Sequence, residues 1–149
     1  MSSALDLFTD VHAESFVRAS EVLISRASQG LGTPGLICAA LGAELSLKAI
    51  LKRRGIEFGR EHNLRVLLNL ASPQDRDAIV TSTRLRFVDF DAELDKAARA
   101  FVDWRYIYES QAPKELNMLF LATLARSAAE RLEAIRGQPL TLDVERVVI

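Results

Sequence analysis

At 149 residues the chain has the length of one domain with a substantial core, and its single cysteine, Cys38, excludes an internal disulfide and a multi-cysteine zinc site. Lysine plus arginine total 19 against 20 aspartate plus glutamate, so there is no overall basic excess to gather on a nucleic-acid backbone, and any such contact is local. A lone thiol fits a reducing compartment, and the cytoplasm is the expected one.

Asp6, Asp10, His12 and Glu14 interrupt the apolar residues near the amino terminus, unlike a signal peptide, and no membrane-length apolar run is expected later. A soluble protein with no membrane partner is the expectation. Behind Ser2 and Ser3, which suit a cap, Leu5, Phe8, Val11, Phe16, Ala19, Val22 and Leu23 recur at threes and fours. That spacing predicts a long amphipathic helix ending near Gly30. The next letters, GLGTPG at 30–35, match a dinucleotide-binding fingerprint, but the fingerprint needs a preceding strand and here a helix precedes it. Thr33 as N-cap and Pro34 in the first turn make it an interhelical loop.

A second helix is expected from about Pro34 to Arg54, stopping at Gly55. One hundred degrees per residue places Leu36, Ala40, Ala43, Leu47, Ile50 and Leu51 on one side, with Ile37, Leu41 and Leu45 beside them. The opposite side carries the small residues Cys38, Ala39, Gly42, Ser46 and Ala49, so the helix has little solvent-like surface and belongs at the centre. Glu44 and Lys48 project within the apolar arc. Desolvating two charges costs several kcal/mol each unless they meet one another and further hydrogen-bonding groups, so this pair predicts complementary groups in the core or at a cleft.

HNLRVLLNL at 62–70 gives a third, shorter helix, Pro73 opens a fourth, and residues near 91–110 and 114–136 give two more, separated by Pro113. Strand signals are nearly absent, which makes the fold all-α, a bundle of about five to six helices in a single domain over 1–149. The exception is the tail PLTLDVERVVI, where Leu140, Leu142 and Val144 alternate with Thr141, Asp143 and Glu145. A short extended segment is expected there, packed on its own domain, frayed, or paired with a second chain's tail.

Within 91–110, Leu94, Ala97, Ala98, Phe101, Trp104 and Tyr108 form one apolar face, and Arg105 falls among them with Glu109 one turn later. Arg105 can offer its planar fork to Glu44, to Glu109 or to an incoming phosphate. Glu44, Lys48, Arg105 and Glu109 are therefore expected in a partly buried polar cluster, with Tyr106 or Tyr108 donating a hydroxyl. Such a cluster either fixes the register of two helices or lines a functional cleft, and the structural use is the commoner one. His62 opens the third helix, where an imidazole meets exposed backbone groups or neighbouring side chains. No metal site and no cofactor are expected, because neither His62 nor His12 stands at a metal-ligand spacing. No serine occupies a Gly-x-Ser-x-Gly elbow and no histidine has an evident nucleophile partner, so a hydrolase triad is not legible either.

The run AALGAELSLKAILKRRGIEFGREHNLRVLLNL at 39–70, followed by FVDWRYIYE at 101–109, resembles the HEPN family, the higher-eukaryote and prokaryote nucleotide-binding domains. The carrying features are a glutamate and lysine four apart on an early helix, a short connector to a His-x-Leu helix, and an Arg-Tyr pair on a late helix. The resemblance covers most of the chain. It implies an up-and-down helical bundle that usually dimerises, found in ribonuclease toxins, antiphage systems and nucleotide-associated modules. Catalytic members of that family are metal-independent ribonucleases in which four to six residues separate an arginine from a histidine. Here Arg105 is followed at those places by Ser110, Gln111 and Ala112, and His62 is preceded there by Gly55, Ile56 and Glu57. The ribonuclease motif is missing.

The sequence therefore leads first to a non-catalytic HEPN-like homodimer that binds a nucleotide, RNA or a protein partner in a toxin–antitoxin or defence setting. Its candidate cleft residues are Glu44, Lys48, His62, Arg105, Tyr106, Tyr108 and Glu109; catalytic residues stay unassigned. A second reading is a metal-independent ribonuclease with a rearranged site, and a third is an architectural subunit. Beyond the resemblance, the small-residue face of the second helix and the apolar tail support the dimer.

Overall fold

In the computed structural model, which describes residues 4–102 and 117–136, with side chains from 11 to 98 and from 117 to 136, the periodic segments are helices. They are α1 (Ala4–Ser25), α2 (Gly32–Arg53), α3 (Leu64–Leu70), α4 (Pro73–Arg84), α5 (Phe90–Val102) and α6 (Met118–Arg136), with a 3-10 turn, Ala27–Gln29, between α1 and α2. No strand occurs among the described residues, and the chain is an all-α bundle. The expected extended tail, the Ser2/Ser3 cap and the stretch 103–116 lie outside the described residues.

α2 is the axis of the bundle. It packs against α1 and α6, which also touch each other; α4 lies on α6, and α3 links α2 to α5. Leu36, Ala40, Ala43, Leu47, Ile50 and Leu51 are buried, and so are Ala39, Gly42, Ser46 and Ala49 on the opposite side. Contrary to the sequence expectation, α2 is long and apolar enough by length and composition to cross a membrane, but most of it is buried inside the bundle and it carries Glu44 and Lys48.

The small face of α2 draws α1 into close backbone contact. A Cβ at Gly42 would lie 2.8 Å from Val17 Cγ2 and 3.1 Å from the Val17 nitrogen, and one at Gly35 would lie 2.8 Å from Ile24 Cγ1. Residues of modest size must then face α2, so the core register of α1 runs through Ala13, Val17 and Ser20, all fully buried. This corrects the expected face: Phe16 and Ala19 are half-buried and Val22 is 54% exposed. It also means that the small-residue stripe expected to support a dimer is covered within the chain itself.

Two helix starts show how local chemistry sets boundaries. α2 begins at Gly32, ahead of the expected position, because Gly30 (φ 84°) reverses the chain after the 3-10 turn. Leu31 precedes it without a side-chain cap, so Thr33 is not the N-cap; Pro34 still sits in the first turn, where its missing N–H would have had no helical partner. α4 starts as expected at Pro73, with the Ser72 hydroxyl accepting from the Asp75 N–H. At its other end the chain folds back so that Phe87 and Phe90 meet Phe120 edge-on, each at 5.6 Å between ring centres.

Candidate functional site

The end of α2 sets up the site. Gly55 takes a left-handed conformation (φ 71°), its N–H donates to the Lys52 carbonyl, and the Ile56 N–H donates back to the Leu51 carbonyl. This double closure satisfies the last helical carbonyls and lays Ile56 and Phe58 against the core. The chain then returns toward α2. Glu61 accepts from the backbone N–H groups of both His62 and Asn63 at 3.1 Å, and Asn63 caps α3 by accepting from Arg65 and Val66. Leu64, Leu67 and Leu68 anchor α3 in the core. With its backbone held in this way, His62 turns its ring to α2.

There it meets the two charges that looked misplaced in the sequence. His62 Nδ1 lies 3.3 Å from the Glu44 carboxylate and 3.5 Å from Lys48 Nζ, and Lys48 Nζ lies 3.4 Å from Glu44 Oε2. Glu44 is buried, the Lys48 side chain is 16% exposed, and His62 is 64% exposed at the mouth of the cluster. The Lys48 ammonium also stands 5.5 Å from the centre of the Phe58 ring, within reach of its negative face. A buried carboxylate thus holds two basic groups from different segments. Both contacts are long for charge-assisted hydrogen bonds, which prefer about 2.7–2.9 Å.

No protein-family model, curated protein or solved structure matches this chain.

Of the residues singled out in the sequence, the structure brings Glu44, Lys48 and His62 together. Arg105, Tyr106, Tyr108 and Glu109 lie outside the described residues, as does Trp104. Among the described residues no group of three or more histidine, cysteine or acidic side chains stands close enough to hold a metal ion.

Other ionic clusters among the described residues were not anticipated; the most exposed joins Arg65 to Asp91 at 3.0 Å and to Asp95 at 2.7 Å. Asp75 is fully buried and accepts from Arg54 Nε at 2.9 Å, from Arg54 Nη2 at 3.0 Å and from Arg131 Nε at 2.8 Å. The Arg54 hydrogen bonds outweigh the opposing effect of burial, Arg131 adds to them, and the Asp75 carboxyl is held down to about 2. On the other side of the bundle Arg126 grips Glu21 through two nitrogens at 2.6 and 2.9 Å and lies 3.5 Å from buried Glu14, which also pairs with Arg18 at 2.9 Å. The hydrogen bonds to Glu21 push the Arg126 guanidinium further into its charged form. A sequence signal existed for the Asp75 cluster: Asp75 follows Ser72-Pro73 at a place that favours an acidic residue, and Arg131 interrupts a helix face of alanines and leucines.

Proposed function

We propose that this chain is a HEPN-like helical module that binds a phosphate-bearing ligand, a nucleotide or an RNA segment, without cutting it. The observation that carries this reading is the convergence of Lys48 and His62 on one buried carboxylate. Glu44 gathers the Lys48 ammonium and the His62 ring beside the C-terminal half of α2, so both stand together where a ligand could meet them. The contacts are loose and an ammonium has three donors, so Lys48 keeps capacity for a phosphate oxygen. His62 stands at the exposed edge of the same cluster. Arg105, which the sequence pattern puts on a late helix, is the third cationic group assigned to the ligand. The HEPN resemblance supports a toxin–antitoxin or defence setting for such a module.

One contact favours a second reading. A carboxylate beside Nδ1 is the arrangement that holds an imidazole tautomer with Nε2 as a base toward solvent, so Glu44–His62 is compatible with a metal-independent ribonuclease. A single set of measurements separates the two. Binding without cleavage requires nucleotides or RNA to raise the melting temperature of the wild type, with the shift lost in Lys48→Ala and Arg105→Ala. Cleavage that survives a chelator and disappears in His62→Ala would establish the ribonuclease instead. Neither a shift nor cleavage would leave the architectural reading.

A further inference from the structure

The charge of the Glu44–Lys48–His62 cluster depends on a histidine, the side chain that ordinarily gains or loses its proton between about pH 5 and 8. With the imidazole neutral, the negative charge of Glu44 meets the positive charge of Lys48 at 3.4 Å and the three side chains carry no net charge. An anion drawn to Lys48 is then repelled from nearly the same place by the carboxylate, and the two effects largely cancel. The rest of the chain gives no attraction from a distance, since its formal net charge is -1 with both histidines neutral.

The geometry decides where an added proton goes. Nδ1 is the ring nitrogen turned to α2, 3.3 Å from the Glu44 carboxylate; a ring N–H donates to a carboxylate, whereas a bare lone pair is repelled by it. The neutral ring therefore carries its hydrogen on Nδ1. Lys48 Nζ is a competing donor toward the same nitrogen, but it stands farther off at 3.5 Å and has Glu44 Oε2 to bond. That leaves Nε2, on the opposite side of a ring that is 64% exposed, as the atom that takes up the proton. Glu61 is the other charged group against this residue: it accepts from the His62 backbone N–H at 3.1 Å and holds the backbone in place while the ring titrates. Protonation of Nε2 gives the cluster one net positive charge and a second ring N–H at its exposed edge.

We propose that anion binding at this cluster is coupled to the uptake of one proton at His62 Nε2, so that mild acid turns the site on. This rests on the phosphate-binding reading of the same cluster and adds its control. Lys48 supplies its charge throughout this pH range, and His62 decides whether Glu44 cancels it. Because the bound state holds one more proton than the free state, affinity rises as pH falls. The slope is at most about tenfold per pH unit, and it levels off once the ring of the free chain is protonated.

The test uses the full chain and an oligouridylate lacking a terminal phosphate, whose charge is constant over this range, at fixed ionic strength. The wild type binds it about five- to tenfold more tightly at about pH 5.5 than at about pH 8. Nitrogen NMR of the histidine-labelled protein shows the neutral His62 ring with its hydrogen on Nδ1, and its titration midpoint moves upward when the oligonucleotide is added. His62→Asn keeps an amide N–H for Glu44 but has no titrating nitrogen, and in acid it binds no more tightly than the wild type does at about pH 8. Equal wild-type affinity at both pH values overturns the proton coupling and leaves the ligand reading standing, whereas no binding at either overturns both. A neutral ring with its hydrogen on Nε2 also overturns the proposal, and so does a pH dependence that survives in His62→Asn, which retains His12.

Discussion

Replacing Asp75 by asparagine tests the ionic logic of this bundle most directly. The carboxylate is fully buried and accepts from two arginines on different helical segments, Arg54 at the end of α2 and Arg131 on α6. Asparagine keeps the shape but removes the charge, and it turns an NH2 group toward a guanidinium. A depression from the ordinary carboxyl value of 3.8 to about 2 corresponds to roughly 2 kcal/mol at neutral pH. Adding the mismatch of the amide, Asp75→Asn costs about 3 kcal/mol, which in a domain of this size lowers the melting temperature by roughly 6–12 °C. The sign of the pH dependence follows from the direction of the shift. Between the unfolded value near 3.8 and the folded value of about 2, the unfolded chain takes up a proton that the folded chain refuses, so acid favours unfolding. The contribution is complete above the unfolded carboxylate range and fades as pH falls through the folded value. Urea titrations of both proteins should therefore give a constant difference from pH 7 to about pH 5, a shrinking one below pH 4, and near pH 2 little more than the roughly 1 kcal/mol amide mismatch, which does not titrate. A difference under about 0.5 kcal/mol at pH 7, or one that persists unchanged in acid, would refute the reasoning.

Three further substitutions have defined outcomes. Gly42→Ala places a methyl 2.8 Å from Val17 Cγ2 and destabilises by about 1–3 kcal/mol despite the gain of up to about 1 kcal/mol in helix propensity; Val17→Ala in the same chain recovers part of the loss in urea titration. Gly55→Ala meets no neighbour within 4 Å, so its cost of about 1 kcal/mol comes from the left-handed backbone alone and is read as a lowered urea midpoint. His62→Ala removes a side chain that is 64% exposed, so stability changes by no more than about 1 kcal/mol, whereas the proposed ligand-binding role requires any nucleotide-induced melting shift of the wild type to be lost.

The central position of α2 was legible because its sequence offers no polar face: small residues oppose large ones, and the two charges fall inside the apolar arc. The register of α1 was not. Hydrophobicity ranks Phe16 and Val22 above Ala13 and Ser20, but where a glycine brings two backbones together, size decides which residues face inward. Periodicity in one helix carries no information about a glycine on another. The same limit applies to the site. Glu44 and Lys48 could be paired from the sequence because four residues on a helix fix their separation. His62 reaches Glu44 across 18 residues, and that contact depends on the left-handed turn at Gly55 and on Glu61 holding the approach to α3.

Among the described residues three buried carboxylates each join separate segments of the bundle, and the contacts around Asp75 and Glu44 differ in length. Glu14 joins α1 to α6, Asp75 joins α2, α4 and α6, and Glu44 joins α2 to the start of α3. Around Asp75 every hydrogen bond from the arginines is 2.8–3.0 Å, and Arg126 holds Glu21 at 2.6–2.9 Å. Those donors are well engaged by the fold, and removing them should register as lost stability. Around Glu44 the contacts are 3.3–3.5 Å, and one partner stands largely in solvent. Weakly engaged donors contribute less to folding and retain more capacity for an incoming acceptor. Asp75 and His62 substitutions should thus separate cleanly: the first changes the unfolding free energy and leaves ligand response intact in the folded fraction, whereas the second does the reverse.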